Sequence, residues 1–426
     1  MTRSETKPPF VAIACGGTGG HLFPGLAVAE QLKLRSCGVA LLVSPKDIDQ
    51  QAVKVASGME ILTLPAVGLQ NRNYFSFAAS FVKSLFAARK FFRQRRPDAV
   101  LAMGGFTSAP PVFVAKDLGA KTFLHESNTI PGRANRILSR FVDGAFVGFP
   151  EAAARLKARK VTTTGTPVRP QFRWGEATDE PAREDARPTK LTSCRIALGL
   201  DTNLPTILVV GGSQGASGLN DMILSALPLM AWERWRPAGE LTANMPAGRQ
   251  RSQELQFLHF TGAKDFEQVK AAYAARGIKA VVKPFLAEMN LALDAATVAV
   301  SRAGASSLAE IAAMRLPALL VPYPAAADNH QFFNASAFEK TGAAKLLEQK
   351  NSTPEKVAAI LTELLENETS RSQMQSALAQ WHAPKAAEQI ADGILSAVAR
   401  QQEKMAHSKA KTCGCGHTHG AAKHAH

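Results

Sequence analysis

The chain has 426 residues and a formal net charge of +15 at pH 7. This length suits two or three domains with full hydrophobic cores, and the charge favours an anionic partner: nucleic acid, a membrane surface or a phosphorylated substrate. RNA-binding aromatic patterns, zinc-finger spacings and recognition-helix signatures are absent, which argues against nucleic acid. The five cysteines form no disulfide framework, no stretch is long enough to cross a bilayer, and the first apolar run is too short for a signal peptide. We therefore expect a cytosolic protein whose membrane contact is peripheral.

The first predicted elements are a strand at Pro9–Cys15, a glycine loop at 16–20 and a helix. A glycine loop between a strand and a helix is typical of phosphate binding. The spacing nevertheless lacks the last glycine of the dinucleotide fingerprint, and no Gly-Lys-Ser/Thr follows, which disfavours an oxidoreductase or a P-loop enzyme. His21 stands where the loop becomes the helix. The positive helix end should lower its pKa and keep it neutral, as a general base requires, although a packing role is the alternative.

The segment Arg72–Pro97 predicts an amphipathic helix without an acidic residue. Phe77, Phe81, Leu85, Ala88 and Phe92 form its core stripe. The opposite side, which we call the basic face, carries two apolar residues among four cations: Val82, Lys83, Phe86, Arg89, Lys90 and Arg93. Such a surface suits an anionic lipid leaflet, where each cation contributes ~1 kcal/mol of binding. The alternative is that the two apolar residues pack against a neighbouring loop.

Two further strands end in polar or glycine-rich sequence. Ala99–Met103 precedes a loop at 104–108 that contains Phe106, and Thr122–Leu124 precedes His-Glu-Ser-Asn at 125–128. No second histidine follows at metalloprotease spacing, so a metal site is not indicated. Because ligands bind at the carboxyl ends of parallel strands, these loops are predicted to form the wall of a site.

The second half repeats this design. Thr206–Val210 is a predicted strand that leads into a glycine-rich turn at 211–218, after a linker at 171–204 that contains the surface segment Trp174–Thr192. The repetition predicts an α/β protein with two Rossmann-like, doubly wound domains that face each other across a cleft, at 8–170 and 205–383. Residues 234–251 read as loop, and Val281–Phe285 is a strand followed by Leu286.

The stretch 297–334 has the most informative pattern. It predicts a strand at Val298–Ser301, a turn, a helix with the capping-box spacing Ser307–Glu310, and a strand at Ala318–Val321. Two polar clusters should face the carboxyl ends of these strands: Arg302, Ser306, Ser307 and Glu310, then Asp328, Asn329, His330, Gln331 and Asn334. A helix N-terminus favours anions and a carboxylate accepts hydrogen bonds from a vicinal diol, so the stretch suits a nucleoside diphosphate. The alternative is that Glu310 only closes the capping box.

The C-terminal part is predicted to be helical, and 384–400 is expected to return to the first domain. Residues 401–426 have low complexity and are predicted to be disordered. This tail contains residue types that could bind zinc or nickel, although their spacing matches no closed structural site: Cys413, Cys415, His417 and His419.

Six motifs in order resemble the MurG family, the N-acetylglucosaminyltransferases that act on undecaprenyl-pyrophosphoryl-muramoyl-pentapeptide in peptidoglycan synthesis. They are GGTGGHLFPGLAVAE at 16–30, MGGFTSAP at 103–110, HESNTIPGRANRIL at 125–138, GTPVRP at 165–170, GGSQGASGLN at 211–220, and SRAGASSLAEI with DNHQFFNA at 301–336. The resemblance covers roughly 9–400. It implies the two-domain GT-B fold, with the lipid acceptor on the N-terminal domain and UDP-N-acetylglucosamine on the C-terminal one.

The resemblance also implies roles for individual residues. Glu310 would hold the ribose hydroxyls, and Leu286 would lie beside the uracil. The residues at the donor pyrophosphate would be Ser213, Gln214, Gly215 and Arg302, and those around the donor sugar Asn128, Arg169, Ala305, Gln331 and Asn334. Further residues that would bind the donor are Thr18, Gly19, Gly20 and Ser306. The acceptor side would be lined by Thr18, His21, Phe106, Glu126 and Asn135. Three residues depart from the family pattern: His330 replaces Gln, Phe106 replaces Tyr and Thr166 replaces Asn.

The expected reaction is a single inverting displacement with His21, or alternatively Glu126, as the base and with Arg302 among the groups that stabilise the leaving UDP. No protein-bound divalent cation would be required. The expected partners are UDP-N-acetylglucosamine, the lipid acceptor (lipid I), the anionic inner leaflet at the cytoplasmic face of the membrane, and other cell-wall proteins, but not nucleic acid. The alternatives are a diacylglycerol glycosyltransferase, a nucleotide-sugar epimerase, and a membrane-bound or metal-handling scaffold.

Overall fold

Each half of the chain builds one parallel β-sheet with helices on its faces. The computed structural model describes residues 8–16, 19–45, 58–65, 74–172, 186–212, 215–230 and 254–413. Short apolar runs form the central strands, which are buried on both faces, as is usual where helices cover both sides of a sheet. The predicted fold class, two doubly wound α/β domains, is confirmed.

The N-terminal sheet has seven parallel strands in the order β3-β2-β1-β4-β5-β6-β7. Its elements in chain order are β1 Phe10–Ala14, α1 Gly19–Leu34, β2 Gly38–Val43, β3 Glu60–Thr63, α2 Tyr74–Gln94, β4 Ala99–Ala102, α3 Ala109–Asp117, β5 Lys121–Glu126, α4 Arg133–Leu138, β6 Gly144–Val147, α5 Pro150–Ala153 and β7 Val161–Thr163. Strand β2 pairs with one edge of β1, and β4 pairs with its other edge. The loops after β1 and β4 therefore flank a topological switch point, where such sheets bind ligands.

The C-terminal sheet has six parallel strands in the order β10-β9-β8-β11-β12-β13. Its elements are α6 Ala186–Leu198, β8 Thr206–Val210, α7 Ser217–Met230, β9 Gln256–Phe260, α8 Phe266–Ala275, β10 Ala280–Lys283, α9 Met289–Ala295, β11 Val298–Ser301, α10 Ala305–Ala313, β12 Ala318–Leu320, α11 His330–Lys340, β13 Lys345–Leu346, α12 Pro354–Glu366, α13 Glu368–Trp381 and α14 Ala386–Cys413. Its switch point lies between β8 and β11. The glycine-rich loop after β8 and the turn before α10 are thus neighbours.

The last helix, α14, packs on the N-terminal domain. Ile390, Ala391 and Ile394 are fully buried in the same cluster as Leu22 and Val28 of α1. The helix continues to Cys413. Residues 401–413, for which low complexity predicted disorder, are therefore the continuation of this helix. The remaining tail residues, with Cys415, His417 and His419, lie outside the described part of the chain.

Part of the predicted linker is also helical. In α6 the side chains of Cys194 and Leu198 are buried in the C-terminal core, and the guanidinium of Arg195 donates to the carbonyl oxygen of Ala295 at 3.0 Å. This helix is a packed element of the C-terminal domain, so the linker prediction is wrong for 186–198. Its mixed polar and charged sequence concealed the few residues that it buries. The predicted loop at 234–251 falls outside the described residues.

The basic face lies on α2. Ala88 and Phe92 are buried in the core, whereas Val82 and Phe86 are 47% and 70% exposed. Within the part of the chain that the structure describes, neither apolar residue is buried against a neighbouring loop. Nowhere along the described ranges does a helix combine the length and the apolar character needed to cross a bilayer.

Candidate active site

A cavity of about 700 Å³ lies between the two domains at the carboxyl ends of the strands. The N-terminal domain lines it with residues from the starts of α1 and α4, from the end of β5 and from the segments after β4, β5 and β7, among them Gly19, Gly20, His21, Phe106, Glu126, Asn128, Asn135 and Arg169. The C-terminal domain contributes residues from the loops after β8 and β10 and from the start of α10, among them Gly212, Phe285, Leu286, Ala305, Ser306, Ser307 and Glu310. Most of the residues that the sequence singled out thus share one cavity.

His21 lies against the glycine loop that follows β4. A β-carbon added at Gly104 would be 2.8 Å from Nε2 of His21, and the φ of Gly104 is 120°. Any other residue at Gly104 would therefore clash with the imidazole and would also strain the backbone. The two adjacent glycines allow the ring to sit close to the backbone at the cavity wall.

Glu126 is held by hydrogen bonds on both carboxylate oxygens. The amide N–H and the side-chain Nδ2 of Asn128 donate to Oε1 at 2.9 and 3.0 Å. The amide of Gly132 and Nδ2 of Asn135 donate to Oε2 at 3.0 and 2.9 Å. Glu126 is 3% exposed. Because four donors occupy the carboxylate, it organises the loop at 126–135 and is poorly placed to accept a substrate proton.

Asn135 keeps one polar atom for a ligand. Its Nδ2 donates to Glu126 and to the carbonyl oxygen of His125, but its buried Oδ1 has no hydrogen-bond partner among the residues that the structure describes. A buried acceptor without a partner is costly, and in a substrate site it marks a position for a donor. Nearby, burial lowers the pKa of His125 to about 4, so this ring is neutral at physiological pH and bonds Gly165 and Ser127.

Glu310 and Arg169 both line the cavity, and their charges interact. Burial raises the pKa of Glu310 to about 7, an effect that the positive charge of Arg169 partly offsets. The guanidinium of Arg169 lies 4.2 Å from the ring centre of Phe23 and 5.0 Å from that of Phe172. Burial lowers the pKa of Arg169, and within the described ranges its Nε has no hydrogen-bond partner. An acidic and a basic group on the walls of one cavity are suited to a polar ligand.

The capping-box prediction at Ser307 is wrong. Helix α10 begins at Ala305, and its N-cap is Gly304 with extended backbone angles and no side-chain capping bond. Ser307 therefore lies inside the first turn, where its side chain cannot cap the helix. Glu310 lies further along, in the second turn. The alternative that Glu310 serves only to close a capping box is excluded with it.

Three predicted site residues are not part of the cavity lining and lie behind it: Arg302, Gln331 and Asn334. The guanidinium of Arg302 donates to the carbonyl oxygens of Val321 and Pro322, both at 3.1 Å, and to Oε1 of Gln349 at 2.8 Å. Oε1 of Gln331 accepts from the amides of Ala303 and Tyr323. Asn334 is fully buried with four hydrogen bonds. In this conformation these residues support the C-terminal loops from behind and are not part of the cavity lining.

Other predicted residues stand apart from the cavity or outside the described ranges. Gly215 has φ 75° and lies against the backbone of Thr261, where a β-carbon would come within 2.3 Å of an oxygen. Thr18, Ser213 and Gln214 are not among the residues that the structure describes. The basic face of α2 does not contribute to the cavity lining.

The structure also adds contacts that the sequence did not indicate. Phe285, 45% exposed, lines the cavity beside Leu286. Across the cleft, Arg136 of α4 forms an ion pair with Asp328, which has an unusual φ of 50°. Thr129 hydrogen-bonds to Asn334. An apolar residue directly after a strand could have suggested Phe285, but contacts between domains leave no local signal in the sequence.

Two Rossmann-like domains with a shared cavity, a histidine on one wall and a partly buried carboxylate on the other have the architecture of two-domain nucleotide-sugar glycosyltransferases. Family models agree: the N-terminal domain of glycosyltransferase family 28 matches residues 11–147, and its C-terminal domain matches 206–390.

Proteins of similar sequence identify the family within this class. A protein of Anaeromyxobacter sp. (strain Fw109-5) is 36% identical over 394 residues, which cover 91% of this chain and 93% of the relative, and one of Syntrophus aciditrophicus (strain SB) is 33% identical with 91% and 98% coverage. Both are named UDP-N-acetylglucosamine–N-acetylmuramyl-(pentapeptide) pyrophosphoryl-undecaprenol N-acetylglucosamine transferase. The crystal structure of Acinetobacter baumannii MurG is 27% identical with a TM-score of 0.66, covering 91% of this chain and all of that one. The chain belongs to the MurG family of glycosyltransferases.

A UDP-N-acetylglucosamine 2-epimerase from Neisseria meningitidis, solved with UDP-N-acetylglucosamine bound, has the same fold at 12% identity and a TM-score of 0.61, with 91% of this chain and all of that one covered. At this identity the likeness concerns the fold alone.

Proposed function

We propose that this chain transfers N-acetylglucosamine from UDP-N-acetylglucosamine to the 4-hydroxyl of the muramoyl group of undecaprenyl-pyrophosphoryl-N-acetylmuramoyl-pentapeptide. The transfer inverts the configuration at C1 of the sugar. The observation that carries the proposal is the placement of His21 and Asn135 on one wall of a single cavity and of Leu286 and Glu310 on the other. One wall thus offers a general base and a hydrogen-bond acceptor, and the opposite wall offers groups that can bind a nucleoside.

The donor end of this cavity suits uridine diphosphate. Leu286 and Phe285 form an apolar wall for the base, and the carboxylate of Glu310 can accept hydrogen bonds from both ribose hydroxyls. The pyrophosphate would lie near the glycine-rich loop after β8 and the N-terminus of α7, where amide groups and the helix dipole favour negative charge. Arg302 stands behind this region and adds positive charge without touching the cavity.

The reaction is a single displacement. His21 takes the proton of the acceptor hydroxyl while the acceptor oxygen forms a bond to C1 of the donor sugar. The bond between C1 and the β-phosphate oxygen breaks, and UDP leaves with the bonding electrons. Of the two candidate bases, His21 is favoured, because the oxygens of Glu126 already accept four hydrogen bonds.

The proposal includes no protein-bound divalent cation. Loop amides, the N-terminus of α7 and Arg302 supply the positive potential that the leaving group needs. Treatment with a chelator is therefore expected to leave UDP binding by the purified protein unchanged, and a loss of binding that magnesium restores would contradict this part of the proposal.

We also place the protein at the anionic inner leaflet, at the cytoplasmic face of the membrane. The support is the basic face of α2, where Val82 and Phe86 are exposed among the cations. Phe75, on the first turn of the same helix, is 91% exposed. An exposed apolar group beside cations is the combination that binds a lipid surface.

The test is incubation of the protein with labelled UDP-N-acetylglucosamine and a mixture of a short-chain muramoyl-pentapeptide lipid and diacylglycerol. The proposal predicts that label moves to that lipid with release of UDP. A diacylglycerol transferase would label only diacylglycerol, an epimerase would isomerise the donor alone, and a scaffold would leave the donor intact. Any of these three results would contradict the proposed function.

A further inference from the structure

Thr129 forms a contact between the two domains that neither the motifs nor the cavity lining singled out. It follows β5 in the N-terminal domain and is 4% exposed. Its amide and its Oγ1 donate to Oδ1 of Asn334, in α11 of the C-terminal domain, at 2.9 and 3.0 Å. Nδ2 of Asn334 donates to Oδ1 of Asn128 at 3.0 Å and to the carbonyl oxygen of Ala303 at 3.1 Å. Every hydrogen-bonding position of Asn334 is thus filled.

The direction of these bonds is determined by the groups themselves. The amide of Thr129 can only donate, so the atom of Asn334 that faces it must be the oxygen. Nδ2 of Asn334 must therefore face Asn128, whose own Nδ2 donates to Glu126. A polarised chain of hydrogen bonds runs from α11 through Asn128 to the carboxylate that organises the acceptor loop.

Opening of the cleft would break this chain. Three hydrogen bonds cross between the domains here, two from Thr129 and one to Asn128, and they lie at a site where Asn334 is fully buried. Separation of the domains would leave these groups without partners until water replaced them. The contact thus favours the closed cleft, in which His21 and the donor wall line the same cavity.

We propose that Thr129 is a positioning residue: its hydroxyl, through Asn334, holds the cleft closed and thereby aligns the donor with the acceptor side. The effect on turnover rests on the proposed function, whereas the effect on domain closure does not. Among polar residues at the cleft, Thr129 suits this role because it offers both a main-chain and a side-chain donor to one oxygen.

The experiment compares the full chain with Thr129→Val, which removes the hydroxyl and keeps the shape of the side chain. The proposal predicts a larger radius of gyration by small-angle X-ray scattering and a fall in kcat of about tenfold, because reacting groups that lose their alignment react slowly. The Kd for UDP, measured by calorimetry, should stay within about twofold, since the C-terminal domain holds that ligand. Thr129→Ser, which keeps the hydroxyl, should restore both the radius of gyration and kcat.

The matched control is Thr122→Val on β5. Thr122 is equally buried, but its Oγ1 donates to Asp143 within the same domain. Its radius of gyration and kcat should match those of the wild type. If Thr129→Val does not fold, Thr129→Ala removes the same hydroxyl without placing a methyl group beside Asn334.

The proposal is overturned if Thr129→Val keeps the wild-type radius of gyration, if Thr129→Ser is as impaired as Thr129→Val, or if the affinity for UDP falls in proportion to kcat. A wild-type protein that transfers no sugar would contradict the proposed function, and the scattering comparison would still decide the role of Thr129.

Discussion

The hydroxyl of Ser306 donates a hydrogen bond of 2.9 Å to the carbonyl oxygen of Gly20. Gly20 directly precedes His21 in the N-terminal domain, and Ser306 lies one helical turn before Glu310 in the C-terminal domain. This single contact therefore relates the proposed base to the carboxylate proposed to bind ribose. It brings together two residues that are 286 positions apart in the sequence, and it shows how closure of the cleft assembles one site from two domains.

Replacement of His21 by Ala should separate catalysis from donor binding. We expect kcat to fall by about 10² to 10⁴, the usual contribution of a general base, while the Kd for UDP stays unchanged. Steady-state kinetics and calorimetry measure the two effects. His407→Ala, at an exposed position on α14, is the control and should keep full turnover. Unchanged turnover in His21→Ala would remove this residue from the base role.

Glu126→Gln should lower stability rather than remove the base. A glutamine has one acceptor oxygen and would turn an NH₂ group toward two of the four donors that Glu126 now satisfies, at a cost of about 1–3 kcal/mol. Urea unfolding measures this loss, with Glu60→Gln, an exposed partner of Arg95, as the control. The decrease of kcat/KM at acidic pH, which reports protonation of the general base, should still be seen in this variant. A stable variant in which kcat/KM no longer decreases at acidic pH would instead identify Glu126 as the base.

The affinity for UDP-N-acetylglucosamine should rise with pH through about 7. Burial raises the pKa of Glu310 to about 7, and only the ionised carboxylate accepts hydrogen bonds from both ribose hydroxyls. We expect binding about tenfold weaker near pH 6 than near pH 8, as one pKa unit below the titration point implies. Calorimetry across this range measures it. The Glu310→Gln variant should bind weakly without this dependence, and a dependence that persists in it would exclude Glu310 as the titrating group.

The same carboxyl group links pH to stability in the opposite direction. Because its pKa in the folded protein lies above the unfolded value of 4.5, Glu310 contributes stability that is fully present below about pH 4.5 and is lost as the pH rises through about 7. A wild-type protein should therefore gain less stability than Glu310→Gln between these two pH values, as urea unfolding would show.

Loss of the basic face should weaken binding to anionic vesicles. The fourfold change of Lys83, Arg89, Lys90 and Arg93 to Ser removes about 1 kcal/mol per cation. Sedimentation with vesicles that contain anionic lipid should show the loss, and added salt should weaken the wild type in the same way. The control removes four exposed cations from the C-terminal domain, namely Lys264, Lys270, Lys340 and Lys356. Equal binding by the two variants would show that net charge, and not this face, governs attachment.

The sequence predicts most of the fold because parallel strands buried on both faces are short apolar runs. It predicts the location of His21, Glu126 and Glu310 because residues that follow such strands must meet at one edge of a sheet. Helix α6 was missed since it buries only a few of its residues, and the start of α10 was misplaced because Gly304, in extended conformation, precedes the helix without a side-chain cap. The role of Thr129 could not be predicted from the sequence. Its partner Asn334 lies 205 residues away, and their contact depends on how the two domains dock.

A crystal structure of the protein with UDP-N-acetylglucosamine tests the central claim most directly. We predict the uracil beside Leu286, the ribose hydroxyls within hydrogen-bonding distance of the carboxylate of Glu310, and C1 of the sugar facing the side of the cavity that holds His21. A donor bound elsewhere on the molecule, or bound with its uridine toward His21, would contradict the account.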